Sequence, residues 1–349
     1  MYFAPRSRIA LFVAALVTAV VPAGAQTTTV LKLPEKTVEV VGLRRWTVAM
    51  IQDSLAKYSP GDSLHHHACA AVLRYKLGFA DAAASSYDEN GREYMVVSVV
   101  EPQDSGRVRY RPAGFDSLGA RMEWSEALTV LTRKPRAFHG AVPFYLPHLR
   151  DPRTPIPSHL RRDSVDVLRV WRFLGEHRGE RDYERALVTV LSDQNLDNRL
   201  VAAALLANFP ERDPAWWALV EVMREEDGAA KMLAGNVLAK MAEHHPRAVD
   251  WAPAAGTVHA MLDGTSLFVL PQLLEVLPKT RIGPEQAESF LAGGGRMVLA
   301  HLGAEHPQMR ENAHQFLTAV SGQDFGYDVA RWRAWVSTLG SPALQSRPN

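Results

Sequence analysis

Three consecutive histidines, closely followed by the only cysteine of the chain, form the group of side chains best suited to bind a metal. His65, His66, His67 and Cys69 offer the imidazole and thiolate donors that zinc prefers. On a helix, successive side chains point about 100° apart, so only His65 and Cys69 share a face. A zinc site would need further ligands, and the nearest in sequence are His139, His148 and His159. The pattern favours a solvated first helical turn and predicts no metal site.

Cys69 lies in an apolar stretch from Ala68 to Leu73. A single thiol can be reactive or can pair between chains, especially in an oxidising compartment. Its apolar neighbours favour a small buried side chain instead. A reactive thiol and an inert one both remain open at this point.

Two short motifs carry familiar catalytic associations without the residues that those associations require. Asp324-Phe325-Gly326 spells the magnesium motif of protein kinases, but no catalytic His-Arg-Asp loop accompanies it. Gly293-Gly294-Gly295 lacks the Lys-Ser/Thr that follows the glycines of a phosphate-binding loop. We interpret the first motif as a turn and the second as a helix break or a close contact between helices.

The remaining candidates are also interpreted as structural. Gly114 to Gly119 has the wrong spacing for the nucleophile turn of hydrolases, and Glu225-Glu226-Asp227 is typical of a solvated face. Histidine follows glutamate at three predicted helix ends, where a cation suits the negative end of the dipole. These are Glu176-His177, Glu243-His244-His245 and Glu305-His306. The sequence therefore identifies no catalytic residue, no metal ligand and no cofactor-binding residue, and we expect no cofactor.

Composition narrows the class of protein. The chain has 349 residues, a formal net charge of +1, 47% hydrophobic residues and 22% charged residues. This hydrophobic fraction excludes wholesale disorder, and the near-neutral charge argues against a dedicated nucleic-acid binder. One cysteine excludes a disulfide scaffold and a multi-thiolate zinc site.

The first 25 residues have the pattern of a signal peptide. Arg6 and Arg8 precede the apolar run from Ile9 to Val21, and the small residues Ala23-Gly24-Ala25 follow it. As a helix this run would rise only about 20 Å, too short for a hydrocarbon core of roughly 30 Å. We expect cleavage before Gln26 and a soluble, periplasmic or secreted protein without a transmembrane segment.

The next region, 26–155, mixes helical and strand patterns and predicts a small α+β module. Three helices are predicted, at Thr47–Tyr58, Ser63–Leu77 and Glu123–Arg133. Tyr94–Val100 predicts a strand that forms a hairpin with the alternating segment Arg107–Arg111. Prolines then recur at 135, 143, 147, 152, 155 and 157, a spacing that predicts a linker without a long helix and a domain boundary near residue 155.

Residues 156–349 predict consecutive short helices and no strand. Each helix is amphipathic or largely apolar, so none can bury its face alone. The predicted helices are Val165–His177, Tyr183–Leu191, Arg199–Phe209, Trp216–Glu225, Ala229–His244, Ser266–Leu277, Glu285–Leu302 and Gln308–Ser321.

Weak internal repeats occur within this helical half. A polar start, a basic residue and an apolar run recur before Leu206, Leu238 and Leu317, with a divergent copy around Leu274. The first two leucines are separated by 32 residues, a period typical of helical-pair solenoids. Over residues 160–345 the chain resembles the HEAT-repeat family, specifically the divergent repeats of exported bacterial proteins.

The C-terminal segment carries the sharper part of this resemblance. Ser321-Gly322-Gln323-Asp324-Phe325-Gly326-Tyr327-Asp328, followed by Trp332 and Trp335, is similar to the ending of bacterial HEAT-repeat proteins. We expect Asp328 to cap a last helix whose tryptophans cover the end of the stack. The resemblance implies an α-solenoid with a scaffold or interaction role, and it implies no catalytic residue.

The leading hypothesis is therefore an exported, non-enzymatic scaffold that binds another protein, with a mainly α fold in which a small α+β domain precedes a HEAT-like α-solenoid. An enzyme or small-ligand binder, with its site in the α+β module or at the junction, is the alternative. An accessory factor that docks to a membrane complex of the cell envelope is a third hypothesis.

Overall fold

A computed structural model describes the chain over residues 27–33, 36–61, 63–64, 66–89, 91–112 and 122–340. The predicted signal peptide, 1–25, lies outside the described residues. The protein is mainly helical, with a small four-stranded sheet at its N-terminal side. Among the described residues, no single helix is long and apolar enough to span a membrane. One pair of helices has the required length and composition when the two are taken together, but the pair is bent by 99°: Ala252–Asp263 and Leu267–Lys279.

The sheet contains strands in the order β1-β2-β4-β3. Their bounds are β1 Thr27–Lys32, β2 Lys36–Leu43, β3 Asp81–Glu89 and β4 Arg92–Val100. Strands β2 and β4 pair in parallel, with Val40 opposite Val97, and the two outer pairs are antiparallel. The connection between β2 and β4 carries helices α1 (Val48–Tyr58) and α2 (Cys69–Tyr75) before β3.

Both faces of the sheet are buried. Met95, Val97 and Val99 belong to a core formed with α1 and α2, whereas Tyr94 and Val96 belong to the core of the C-terminal helices. Because successive strand residues point to opposite faces, burial on both sides explains why β4 is a nearly continuous apolar run. The sheet is thus the middle layer between α1 with α2 and the helical half.

Of the first two helices predicted in the N-terminal region, one is confirmed and the other begins later than predicted. Helix α1 is confirmed, and Thr47 Oγ1 caps it by accepting a 3.2 Å hydrogen bond from the Met50 N–H. Helix α2, however, begins at Cys69 and not after Ser63, because turns closed by the N–H groups of His66 and Cys69 occupy the preceding residues.

The predicted hairpin is wrong as well. Strand β4 pairs with β3 through a tight turn in which Gly91 has φ +80°, and Asp88 accepts a hydrogen bond from its N–H. Pro102–Arg107 forms a 3₁₀ helix, and Arg111 makes an isolated bridge to Glu225. The side chains of Arg107 and Arg111 bond to the C-terminal helices, whereas that of Arg109 is exposed, so the alternation does not mark a solvated strand face.

The proline-rich segment is not an extended linker, since most of it forms helix α4 (Pro135–Arg150). Pro143 and Pro147 lie inside the helix and cost about 3 kcal/mol each. Burial of an apolar stripe outweighs this cost, because each large buried side chain contributes about 1.5–3 kcal/mol. The buried stripe is Ala137, Phe138, Ala141, Val142, Tyr145 and Leu146.

The other helices follow in sequence order. Their bounds are α3 Ser125–Arg133, α5 Ser164–Glu176, α6 Glu180–Ser192, α7 Leu196–Leu205, α8 Asp213–Met223, α9 Gly228–His244, α10 Ala255–Asp263, α11 Leu270–Lys279, α12 Pro284–Leu291, α13 Arg296–Leu302, α14 Pro307–Ser321 and α15 Val329–Thr338.

Most helices predicted for the C-terminal half are confirmed within a few residues. One predicted helix is divided in two, and one observed helix was not predicted. The predicted helix Glu285–Leu302 is two helices, α12 and α13, separated at Gly293 and Gly295, which have φ +70° and +72°. This confirms the interpretation of the triple glycine as a helix break. Helix α10 was not predicted, because its residues lack a clear start signal and follow Pro253 closely.

The helices of the C-terminal half lie in two rows. In one row α7 contacts α9, α9 contacts α11, and α11 contacts α14. In the other row α6 contacts α8, α8 contacts α10, and α10 contacts α12. Helix α4 packs on α3, α5 and α9, so the predicted domain boundary falls between two helices in contact. The division of the chain near residue 155 stays a prediction.

Candidate functional site

The largest concentration of buried polar groups lies where the N-terminal region meets the turns of the helical rows. Four such turns connect α6 to α7, α8 to α9, α10 to α11 and α13 to α14. We call their shared side the turn edge, with residues 192–195, 224–227, 263–266 and 303–306. The segment that follows β4 runs along this edge and bonds to the last turn of α6, to Arg224 and to Thr265, and Glu305 bonds to the sheet.

The first two turns are joined by a buried ion-pair network. The Arg199 guanidinium donates to both carboxylate oxygens of Glu225, at 3.1 and 2.9 Å, and both side chains are at most 5% exposed. Arg111 adds a second guanidinium 3.5 Å from Glu225 and donates to the carbonyl oxygens of Val190 and Leu191. Glu225 was predicted on a solvated face, and that prediction is wrong because two arginines hold it inside.

The third and fourth turns receive carboxylates and a guanidinium from the N-terminal region. Arg107 donates to the Asp263 carboxylate at 3.2 Å, and Asp81 Oδ2 accepts a 2.9 Å hydrogen bond from the Leu267 N–H. Glu39 is fully buried and accepts the N–H groups of Glu305 and His306, where helix α14 begins. Such bonds satisfy backbone donors at the start of a helix.

These buried carboxylates have positioning roles. Glu39 also accepts the Tyr94 hydroxyl at 2.9 Å, and burial together with Glu39 raises the pKa of Tyr94 well above its usual range. Glu101 accepts the N–H groups of Arg44, Arg45 and Trp46, which orders the turn before α1. A carboxylate whose lone pairs are already engaged by backbone donors is poorly suited to proton transfer.

A serine and a histidine also meet at this junction. Ser98 Oγ on β4 lies 3.2 Å from His301 Nε2 on α13, and both residues are buried. Desolvation lowers the pKa of His301 to about 3, so the ring stays neutral at physiological pH and is a weak base. His301 Nδ1 has no hydrogen-bond partner in the described part of the chain. The pair lacks the orienting third group that an activated serine requires.

The candidate metal ligands lie in different surroundings. His65 is outside the described residues; His67 is exposed, 2.8 Å from Ser86 Oγ, and Cys69 is buried at the start of α2. His148 stacks on Trp171 at 4.2 Å, whereas His139 and His159 contact Phe138 and Phe144. Within the described ranges, no three His, Cys, Asp or Glu side chains are grouped so that they could hold a metal.

The other motifs lie in turns and at helix ends. Asp324 Oδ1 accepts a 2.7 Å hydrogen bond from the Gly326 N–H, which confirms a turn. His177 and His245 follow the last residues of α5 and α9, as predicted. His306 precedes the first residue of α14, so its prediction at a negative helix end is wrong. The segment Gly114 to Gly119 lies outside the described residues.

Sequence reasoning missed the residues that join the two parts of the molecule. Glu39 stands alone in the apolar run Thr37-Val38-Glu39-Val40-Val41, and Ser98 interrupts the apolar run of β4. A single polar residue within a buried strand implies a specific partner on another element. That signal marks the position but does not identify the partner.

Some polar side chains of the row α9, α11 and α14 remain accessible to solvent. Lys240 and Glu243 on α9 form a 2.6 Å ion pair, and Lys279 and Glu275 on α11 form another at 2.7 Å. The nearby Lys279 also contributes to lowering the pKa of Glu243, after the hydrogen bond from Lys240. We call the partly or fully exposed polar side chains on these three helices the open face; they are Lys240, Glu243, Glu275, Lys279 and Gln315.

Comparisons with known proteins give no match: no family model, no curated relative and no solved structure is significantly similar to this chain.

Proposed function

We propose that the protein is an exported, non-enzymatic scaffold that binds another protein on a HEAT-like α-solenoid. The observation that carries the proposal is the succession of contacts in two helical rows, each helix packing on the next of its row. Stacked helical pairs offer long surfaces for protein partners. The open face is the binding surface that we propose.

The repeated basic position supports the solenoid. Arg199, Lys231 and Arg310 stand at the same distance before the leucines that align the repeats. Arg199 pairs with Glu225 in the next turn, and Lys231 lies 4.9 Å from the centre of the Tyr110 ring at the turn edge. Lys231 is buried, and this burial lowers the pKa of its amino group.

The geometry of the turn edge also favours a scaffold over the enzyme alternative. The buried carboxylates and the Ser98–His301 pair hold the sheet against the helices, and this use accounts for their burial. The charged side chains of the open face remain partly exposed, so they are available to a partner.

Site-specific photo-crosslinking tests the binding surface. A photoreactive phenylalanine analogue replaces Gln315, which is exposed on α14; Ser289, exposed on α12 of the other row, is the matched control. We expect the same protein to be cross-linked from Gln315 and from Glu243, which is exposed on α9, but not from Ser289. Equal cross-linking from all three positions would contradict the open face as the binding surface.

Export is tested independently through the mature N-terminus. Mass spectrometry of protein recovered outside the cytoplasm should find a chain that begins at Gln26, since the cleavage motif ends at Ala25. Recovery of a chain that retains Met1 would contradict export by this signal.

A further inference from the structure

A cleft lined by three arginines opens between the N-terminal region and the C-terminal helix. It has a volume of about 350 Å³ and lies beside Gly293 and Gly294. Arg44 comes from the turn after β2, Arg296 from the first turn of α13, and Arg333 from α15. We call it the arginine cleft.

The positive charges of this cleft exceed the carboxylates that hold them. Asp104 is shared: Arg44 donates to both of its oxygens at 3.0 Å, and Arg296 Nη1 lies 3.7 Å from Oδ1. Arg107 contacts the same carboxylate at 3.3 Å and also pairs with Asp263 at 3.2 Å, and Asp263 accepts the Arg296 N–H at 3.3 Å. Asp104 and Asp263 are thus shared among Arg44, Arg107 and Arg296. Arg333 is exposed and forms no ion pair with a described residue. An anionic ligand would therefore reduce the mutual repulsion of these guanidinium groups.

The charge of the cleft is local, because the chain as a whole is nearly neutral. A second cleft of about 470 Å³ shares Gly293 with it and is lined by the guanidinium groups of Arg109 and Arg224 and by the ion pair of Arg107 with Asp263. Arg224 is already paired with Glu221, whereas Arg109 forms no ion pair with a described residue. Together the two clefts offer a path longer than one small anion would occupy.

The lining also includes an apolar part. Leu299, Val336 and Leu339 line the arginine cleft beside the three guanidinium groups. A ligand with carboxylates and aliphatic side chains matches both parts, because arginine binds carboxylates with two parallel hydrogen bonds and the leucines bury apolar surface. Among the described residues that line this cleft there is no aromatic ring on which a nucleic-acid base could stack.

We propose that the arginine cleft binds an acidic, leucine-containing segment of a protein partner. The inference rests on the proposed scaffold function, since it names a second contact region and the chemistry of the segment that binds there. Carboxylates of the segment pair with Arg44, Arg296 and Arg333. Its aliphatic side chains contact the partly exposed Leu339, beside the buried Leu299 and Val336.

Fluorescence anisotropy with a labelled peptide of alternating leucine and aspartate pairs tests the proposal on the full chain. We expect saturable binding that weakens at least about tenfold between about 0.05 and 0.5 M NaCl. The same peptide with asparagine in place of aspartate should bind at least about tenfold more weakly. Equal binding of the two peptides would overturn the proposal.

Single substitutions locate the binding site. Arg333→Gln and Arg296→Gln should each weaken peptide binding at least about fivefold, since each removes one charged hydrogen-bond donor. Arg169→Gln is the matched control: this arginine is exposed on α5, away from the cleft lining, and pairs with Asp166. Thermal melting of each variant shows whether the fold is retained, and Arg333 has no described ion pair to lose. Loss of binding in all three variants, or in none, would overturn the site.

Competition separates this ligand from other anions. Inorganic phosphate or a DNA duplex that displaces the peptide at lower concentration than unlabelled peptide would reassign the cleft and overturn the proposal. Cross-links from Gln315 without any peptide binding would contradict the proposed ligand of the arginine cleft and leave the proposed open face standing. Peptide binding without cross-links from the open face would instead contradict the proposed open face.

Discussion

Trp332 is the residue with which the role of the C-terminal segment is best tested. Its side chain is fully buried, and its indole N–H donates a 2.8 Å hydrogen bond to the Gly326 carbonyl oxygen. The ring lies 4.7 Å from Phe325 and 5.7 Å from Trp335, measured between ring centres. Helix α15, which carries it, packs on α13, and Asp328 caps that helix as predicted.

Substitution Trp332→Ala removes this packing and leaves a cavity. Fully buried tryptophans cost about 3–5 kcal/mol when truncated to alanine. Each kcal/mol lowers the melting temperature of a domain of 150–250 residues by about 2–4 °C, so we expect a decrease of roughly 6–20 °C. Differential scanning calorimetry at a fixed protein concentration measures it.

Trp335→Ala is the matched control, because Trp335 is only half-buried on the same helix. It should lower the melting temperature by less than half as much. Removal of residues 322–349 should destabilise the protein at least as much as Trp332→Ala and should promote aggregation through the exposed layer. If the truncated protein stays monomeric and melts at the wild-type temperature, the segment is an appendage and the capping role is refuted.

Two further predictions concern the turn edge. Glu225→Gln should lower the free energy of unfolding by about 3–5 kcal/mol, because Arg199 and Arg111 are left as buried charges without their carboxylate. Urea denaturation measures the loss. Glu226→Gln, at the exposed neighbouring position, is the control. The low pKa of His301 predicts that stability is fully present above about pH 6.5 and falls by about 1.4 kcal/mol per pH unit from there towards pH 3, because only the unfolded chain binds the proton. His301→Gln should flatten this part of the urea-derived stability profile, and an unchanged slope would show that other groups cause it.

The sequence predicted local structure well where local signals were sufficient. Thr47 and Asp328 are caps in the structure because their short side chains reach N–H groups two or three residues away. The glycines at 293–295 were interpreted as a helix break or a close contact between helices. They do separate α12 from α13, although the helix predicted over Glu285–Leu302 ran through them. Such features depend on few neighbours and are therefore readable from the chain.

Predictions failed where distant contacts decide the conformation. The prolines of α4 suggested a linker, but burial of Phe138 and Tyr145 against other helices stabilises the helix. Strands β1 and β2 were not predicted, since β2 is recognisable as a strand only beside β4, which lies more than fifty residues further along. The partners of Glu39 and Arg111 could not be predicted for the same reason, and neither could the grouping of Arg44, Arg296 and Arg333.

The contacts along the turn edge have a consequence for the order of folding. Arg107 reaches Asp263 over 156 residues, Asp81 reaches Leu267 over 186, and Glu39 reaches Glu305 over 266. Contacts between such remote parts of a chain form slowly, because a long loop must close before they contribute any stability. The sheet emerges first during synthesis, yet one of its faces is completed only when α13 and α14 exist. Burial of this sheet face is therefore completed only after α13 and α14 have been synthesised. Until then β4 presents an apolar surface that is prone to aggregation.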